Sequence, residues 1–236
     1  MLKAALCIAA FAFVSNAEDT NIQKGSVVLI HGIMDSPFIM WKIEKNLREI
    51  GYEILNFDYA STKWPMDTVI AKLHSEIQRS CDDSDQIYFV VHSLGGLVIR
   101  AYLNHYFTGK EKRLVMIAAP NRGSILAERL ENIAVFKWLL GEPGQLLGKD
   151  EDDYFAKYPI PRIPFGIISG GLKNKTGFSP LIPGDDDWVV GVEETKLEGA
   201  SDFIVIPGQH TTLLWQSEVI KQVILFLRDE KFDHTK

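Results

Sequence analysis

The chain has 236 residues, 46% of them hydrophobic and 24% charged, the balance of one globular domain and not of a disordered or fibrous chain. Lys and Arg number 25 against 31 Asp and Glu, a net charge of −6, which argues against a binder of nucleic-acid backbones because that task needs a basic face. Two cysteines, Cys7 and Cys81, are too few for a disulfide scaffold or a cysteine-rich zinc site.

Residues 1–17 read MLKAALCIAAFAFVSNA. Lys3 gives a positive start, residues 4–14 form an apolar run too short to span a bilayer comfortably, and Ser15 and Ala17 are small residues where a signal peptidase reads. The pattern predicts a secretory signal peptide cleaved after Ala17. The mature chain, 18–236, is then secreted or periplasmic, with no integral membrane span. A buried first helix or a retained anchor is the alternative. Cys81 becomes the one remaining cysteine, either a small buried residue or an exposed bystander, with no catalytic role.

The elements follow in order. Residues 26–30 (SVVLI) are a continuous β-branched run, expected of a strand buried on both faces. Met40, Ile43, Leu47 and Ile50 fall at helical spacing, with Pro37 suited to the first turn and Gly51 to the stop. A strand is predicted over 52–59, and a helix through Met66, Val69, Ile70, Leu73 and Ile77. Then come a strand over 86–91, a helix over 94–106 and a strand over 114–118. Later strands are expected over 163–168 and 203–206, and one amphipathic helix over 211–229 closes the chain.

This alternation of strand and helix predicts an α/β fold, a mostly parallel sheet flanked by helices on both faces. Two stretches break it. Residues 121–162 hold a helix-like piece, 124–140, and then a Gly/Pro-rich acidic segment; residues 170–187 are rich in Gly, Pro and Asp. Long irregular segments in a compact domain usually lie over its functional face or are mobile.

The sharpest motif is His92-Ser93-Leu94-Gly95-Gly96, directly after the buried strand and directly before a helix. A strand turning sharply into a helix projects its turning side chain from the sheet's carboxyl edge. The amino terminus of the helix offers free N–H groups beside it. Ser93 is therefore the candidate nucleophile. A serine is also an ordinary N-cap, but capping does not explain the whole block. Val91 stands where the Gly-x-Ser-x-Gly pattern has its first glycine; a β-branched side chain there crowds the elbow unless the neighbouring strand offers a small residue. The first strand runs into His31-Gly32-Ile33, and a glycine there lets backbone donors face the same pocket. The backbone N–H groups of Ile33 and Leu94 are assigned as the oxyanion hole.

A serine hydroxyl needs a base, and the base an orienting carboxylate. His31 and His92 lie in the turn motifs, His74 and His105 on helices, and His234 in the tail. His210 follows a buried strand and precedes the last helix, which makes it the candidate base. The acid is expected between Ser93 and His210 in chain order. Asp187 is the first choice because it adjoins an apolar run. Asp186 and Asp185 are fallbacks, and a solvated turn or weak calcium site is the other reading of the three.

These pieces together resemble the α/β-hydrolase superfamily. The chain is most similar to compact bacterial lipase/esterase-type members, with some likeness to GPI inositol-deacylase-like hydrolases. The matching segments are Leu29–Ile33, Val91–Gly96, Ala119–Ser124, Asp186–Val190 and Gly208–His210, in the family's order. The resemblance implies a sheet of the eight-strand type, shortened here, and a Ser-His-Asp hydrolase. It also implies that 121–162 is a lid or cap insertion. Ile125, Leu126, Leu130, Ile133, Val135, Phe136, Trp138, Leu139 and Leu140 then either line an acyl pocket or pack on the sheet. The expected activity is cleavage of carboxylic esters, small-molecule or lipid, through an acyl-enzyme, with no cofactor or metal and no nucleic-acid partner. An acyltransferase using the same triad, and a non-catalytic binding protein on the same fold, are the alternatives.

Overall fold

The structure, a computed structural model, describes residues 25–130 and 158–235. The predicted signal peptide, residues 131–157 of the predicted lid and the acidic run 150–153 lie outside the described residues.

Six strands form one sheet in the order β2-β1-β3-β4-β5-β6, and every pairing is parallel. They are β1 (Ser26–Ile30), β2 (Glu53–Phe57), β3 (Ile87–His92), β4 (Glu111–Ile117), β5 (Phe165–Gly171) and β6 (Asp202–Pro207). Helices α1 (Trp41–Glu49), α2 (Met66–Ser80) and α3 (Gly95–Tyr106) connect the first four strands. The short helices α4 (Ile125–Leu130) and α5 (Val192–Thr195) precede α6 (Ser217–Asp229).

Strand side chains alternate between two cores, as the two-residue period requires. Val28, Ile30, Phe89, Val91, Leu114 and Met116 pack toward α2 and α3. Val27, Leu29, Val90, Val115 and Ile117 pack toward α1 and α6. Burial on both faces explains why β1 and β3 read as unbroken apolar runs. The helix patterns match: α1 buries Ile43 and Leu47, and α6 buries Val219, Ile220, Val223, Phe226 and Leu227. After α1 the chain turns at Gly51, φ 100°, where the Gly51 N–H donates to the Arg48 carbonyl at 3.0 Å.

Three expectations needed adjustment. The helix expected from residue 37 begins as a 3-10 turn, Pro37–Met40, before α1. The closing helix is likewise split: a 3-10 turn, Thr212–Trp215, is separated from α6 by the extended Gln216. The strand expected over 52–59 ends at Phe57, because Tyr59 leaves the ladder to stack on His31 with ring centroids 4.4 Å apart. Cys81 is buried and unpaired, and burial pushes its thiol pKa up, consistent with the inert reading.

The strand order places the site. The chain runs from β1 outward to β2, then crosses to β3 on the other side of β1. Connections diverge at that point, and open parallel sheets bind ligands outside the carboxyl ends of the strands where this happens, here β1 and β3.

Candidate active site

Ser93 follows the last residue of β3 and has φ 53°, in the left-handed region that costs an L-residue about 1–2 kcal/mol. The elbow is held on both sides: the Ser93 N–H donates to the Ile117 carbonyl at 3.0 Å, and the Ser93 carbonyl accepts from the Gly96 N–H at 2.9 Å. The capping alternative does not hold, because Leu94 is the N-cap of α3 and no side chain caps it. The small residues that permit the turn follow the serine. A Cβ on Gly95 would lie 2.6 Å from the Ile30 carbonyl oxygen, and one on Gly96 would lie 2.5 Å from Cβ of Ala119. The strand neighbours of Val91 are not small: it pairs in register with Ile30 and Met116, and all three pack in one core. Val91 is still within the regular ladder of β3, one pair before its end.

Gly32, at the end of β1, faces this elbow. A Cβ there would lie 3.0 Å from Cβ of Ser93, 3.1 Å from Nδ1 of His92 and 3.2 Å from Oδ2 of Asp35. The following loop is braced from the segment after β2. Tyr59 Oη donates to the His31 carbonyl at 2.8 Å, and the Met34 N–H, at φ 60°, donates to Ser61 Oγ at 3.0 Å. Among the described residues, the N–H groups of Ile33 and Leu94 have no acceptor. Two such donors, one after β1 and one after β3, can hold a developing negative charge.

His210 and Asp187 come together although 23 residues separate them: His210 Nδ1 donates to Asp187 Oδ2 at 2.8 Å. The backbone repeats the link, with the His210 N–H donating to the Asp187 carbonyl at 2.9 Å. The other carboxylate oxygen of Asp187 accepts from the N–H groups of Val189 and Val190 at 3.0 and 2.8 Å. Asp187 is fully buried and His210 nearly so. This tautomer leaves the lone pair of His210 on Nε2, ready to accept a proton. The contact with the elbow is made by His92, the chain neighbour of Ser93. Its ring centroid is 4.7 Å from that of His210, and its Nε2 donates to the His210 carbonyl at 3.3 Å.

The three consecutive aspartates have three different partners. Asp185 Oδ1 accepts from the N–H of Leu172 at 2.7 Å and of Asp186 at 3.1 Å. Asp186 accepts from the N–H of Ser179 at 2.9 Å and of Trp188 at 2.8 Å. Asp187 alone meets a histidine. Gly170 and Gly171 of β5 make room for them: a Cβ would lie 2.8 Å from Cβ of Asp187 and 2.7 Å from Oδ2 of Asp185, respectively. The sequence placed Gly170 and Gly171 in the irregular stretch 170–187; the structure carries β5 through them, and that is where this docking occurs. Asp35, Tyr59 and Ser61, which also shape the site, carried no sequence signal of that role.

Burial governs the titration of the surrounding groups. It holds His92 well below its ordinary pKa, and the neighbouring His210 lowers it further. It lowers His31 too, against opposing contributions from its hydrogen bond to the Gly32 carbonyl and from Asp35. Asp35 is raised by its own burial, against the effect of His31 and His210. Two neutral imidazoles thus support the site without adding charge. A separate cavity of about 920 Å³, lined by Arg122, Pro159, Ile160, Lys196, Leu197, Glu198, Ala200 and Phe203, shares no residue with Ser93, Asp187 or His210.

The parallel sheet and its flanking helices recur in solved structures. The chain has the α/β-hydrolase fold. Among solved structures, it is similar to a Bacillus licheniformis lipase, BlEst2, in mature form, with TM-score 0.62 and 16% identity over 89% of this chain and 92% of that one. It is also similar to an esterase, EaEST, from Exiguobacterium antarcticum, with TM-score 0.60 and 14% identity over 88% and 94% of the two chains. A third similar structure is the phospholipase PlaB from Legionella pneumophila, with TM-score 0.56, 16% identity and 79% of this chain covered. The chain spans about half of that phospholipase, 53% of its length. No protein-family model matches the sequence, and no curated protein does.

Proposed function

We propose that the chain is a serine hydrolase of carboxylic esters, with Ser93 as nucleophile, His210 as base and Asp187 as the orienting acid. The observation that carries this reading is the buried 2.8 Å bond from His210 to Asp187, joined through His92 to the left-handed Ser93. In the proposed cycle His210 Nε2 takes the proton of Ser93 Oγ as that oxygen attacks the acyl carbonyl. The Ile33 and Leu94 N–H groups hold the oxyanion of the tetrahedral intermediate. Asp187 stabilises the imidazolium and keeps the ring in the productive tautomer. Collapse of the intermediate breaks the C–O bond, and His210 returns the proton to the leaving alcohol. Water, activated by the same His210, then hydrolyses the acyl-enzyme. The lipase, esterase and phospholipase titles of the similar folds support an ester as the substrate class. Placement of the chain outside the cytoplasm belongs to the same proposal and rests on the composition of residues 1–17.

The test is covalent labelling with a fluorophosphonate, alongside a panel of esters of graded chain length. The native chain should label and hydrolyse at least one ester, and Ser93→Ala should do neither. A folded native chain that does not label and cleaves no ester overturns the reading in favour of a binding protein on this fold.

A further inference from the structure

The loop between β5 and α5 that carries Asp187 has an inverted distribution of residue types. Its carboxylates are turned inward: Asp186 and Asp187 are fully buried, and Asp185 is tied to the start of the loop through the Leu172 N–H. Its outer surface is apolar and basic. Leu172, Leu181, Trp188 and Val189 are all large and exposed, with Trp188 exposed by 48%. Lys173 and Lys175 are exposed, and neither has an ion-pair partner among the described residues. The carboxylate bonds to Leu172, Ser179 and Trp188 gather this span into one unit.

Trp188 is not outside by default. Its φ is 85°, a conformation unfavourable for a bulky side chain, and it is kept there by the Asp186 bond to its N–H. Phe178 stacks beside it, ring centroids 6.2 Å apart. An indole held outward among leucines and unpaired lysines suits a boundary between water and hydrocarbon, where its ring enters the interface and the ammonium groups meet anionic headgroups. The charge is local, since the whole chain carries −6. An anionic lipid surface meets both features at once: its headgroups take the ammonium groups, and its hydrocarbon edge takes the exposed indole and leucine side chains.

We propose that the loop of residues 172–190 docks the chain on an anionic phospholipid surface. The inference deepens the ester-hydrolase reading by assigning its substrates to an interface, but docking is measurable without turnover. The experiment is co-flotation of the full chain carrying Ser93→Ala with phosphatidylcholine vesicles, with and without phosphatidylglycerol. The apolar run at residues 4–14 can bind vesicles on its own, so the decisive comparison is between chains that differ only in the loop. Binding to the phosphatidylglycerol vesicles should exceed binding to neutral ones and weaken with salt. Adding Lys173→Glu and Lys175→Glu should lower the bound-to-free ratio about tenfold or more. Leu181→Ser should lower it on both vesicle types. In the Ser93 background these changes should leave turnover of a water-soluble ester unaltered.

Absence of vesicle binding overturns the proposal, as does equal binding by the loop variants. So does a dimer that the same substitutions dissociate, with no vesicle bound. Docking by a chain that neither labels with fluorophosphonate nor cleaves esters defeats the hydrolase reading and leaves the docking intact. Labelling without docking does the converse.

Discussion

The interior of the sheet and its carboxyl rim obey opposite rules. Inside, β1 and β3 are buried along their whole length, and their side chains are almost all apolar and in ordinary extended geometry. At the rim, His31, His92, Ser93, Asp186, Asp187 and His210 are buried polar groups. Met34, Ser93, Ala118, Lys173 and Trp188, in the connections after β1, β3, β4 and β5, all have positive φ. Burying polar groups and holding non-glycine residues in the left-handed region each oppose folding. The rim therefore depends on the interior for its stability. The interior has little chemistry to offer, because its groups are almost all hydrocarbon or bonded backbone.

The difference can be broken from either side. The largest effect should come from Asp187→Asn, which removes the carboxylate but not the shape. It should lower kcat for a soluble ester by a factor on the order of 10⁴, with little loss of thermal stability. Asp186→Asn should show the reverse balance, since that carboxylate holds backbone groups and no histidine. Steady-state kinetics and melting curves on the two variants decide the matter, and equal losses of kcat would remove the distinction. In the interior, Phe89→Ala takes away a fully buried ring and should cost about 3–5 kcal/mol of stability by denaturant unfolding. The molecules that remain folded should label with fluorophosphonate as before.

A smaller effect should appear in the pH dependence of stability. His31 and His92 have folded pKa values below the ordinary 6.5, so the unfolded chain binds protons that the folded chain refuses. Their contribution is present above pH 6.5 and is lost as pH falls from there toward their folded values. Asp35 and Glu194 are raised by burial and act in the opposite sense, favouring the fold at low pH and losing that contribution as pH rises through their folded values. Melting temperature should decline below neutrality, and His92→Asn should flatten that decline. An unchanged slope in the variant would show that burial of His92 is not the cause.

The sequence was most legible where structure is local. The elbow could be read because strand, serine, glycines and helix are contiguous, and the close contacts of Gly95 and Gly96 follow from that contiguity. The cores were legible because side-chain alternation in a parallel sheet and helical spacing are periodic. Element ends were less so. Tyr59 looks like strand, but it leaves β2 for a ring contact with His31, a preference that no window around residue 59 contains.

His210 was identifiable from its position after a buried strand, and the region of its partner from chain order. Local reasoning put Asp187 ahead of Asp186 and Asp185 by its place beside an apolar run, but the three share a composition, and what separates them is what the fold sets opposite each carboxylate. Gly170 and Gly171 open the space, the turn at Val189 and Val190 fixes one oxygen of Asp187, and the loop after β6 brings His210 to the other. Residue types and periodicity thus determined the sheet, its cores and the serine turn, since each rests on interactions within a few residues. The pairing of Asp187 with His210, and the outward display of Trp188, were decided by tertiary structure, because each depends on hydrogen bonds whose partners meet only after the strands have assembled.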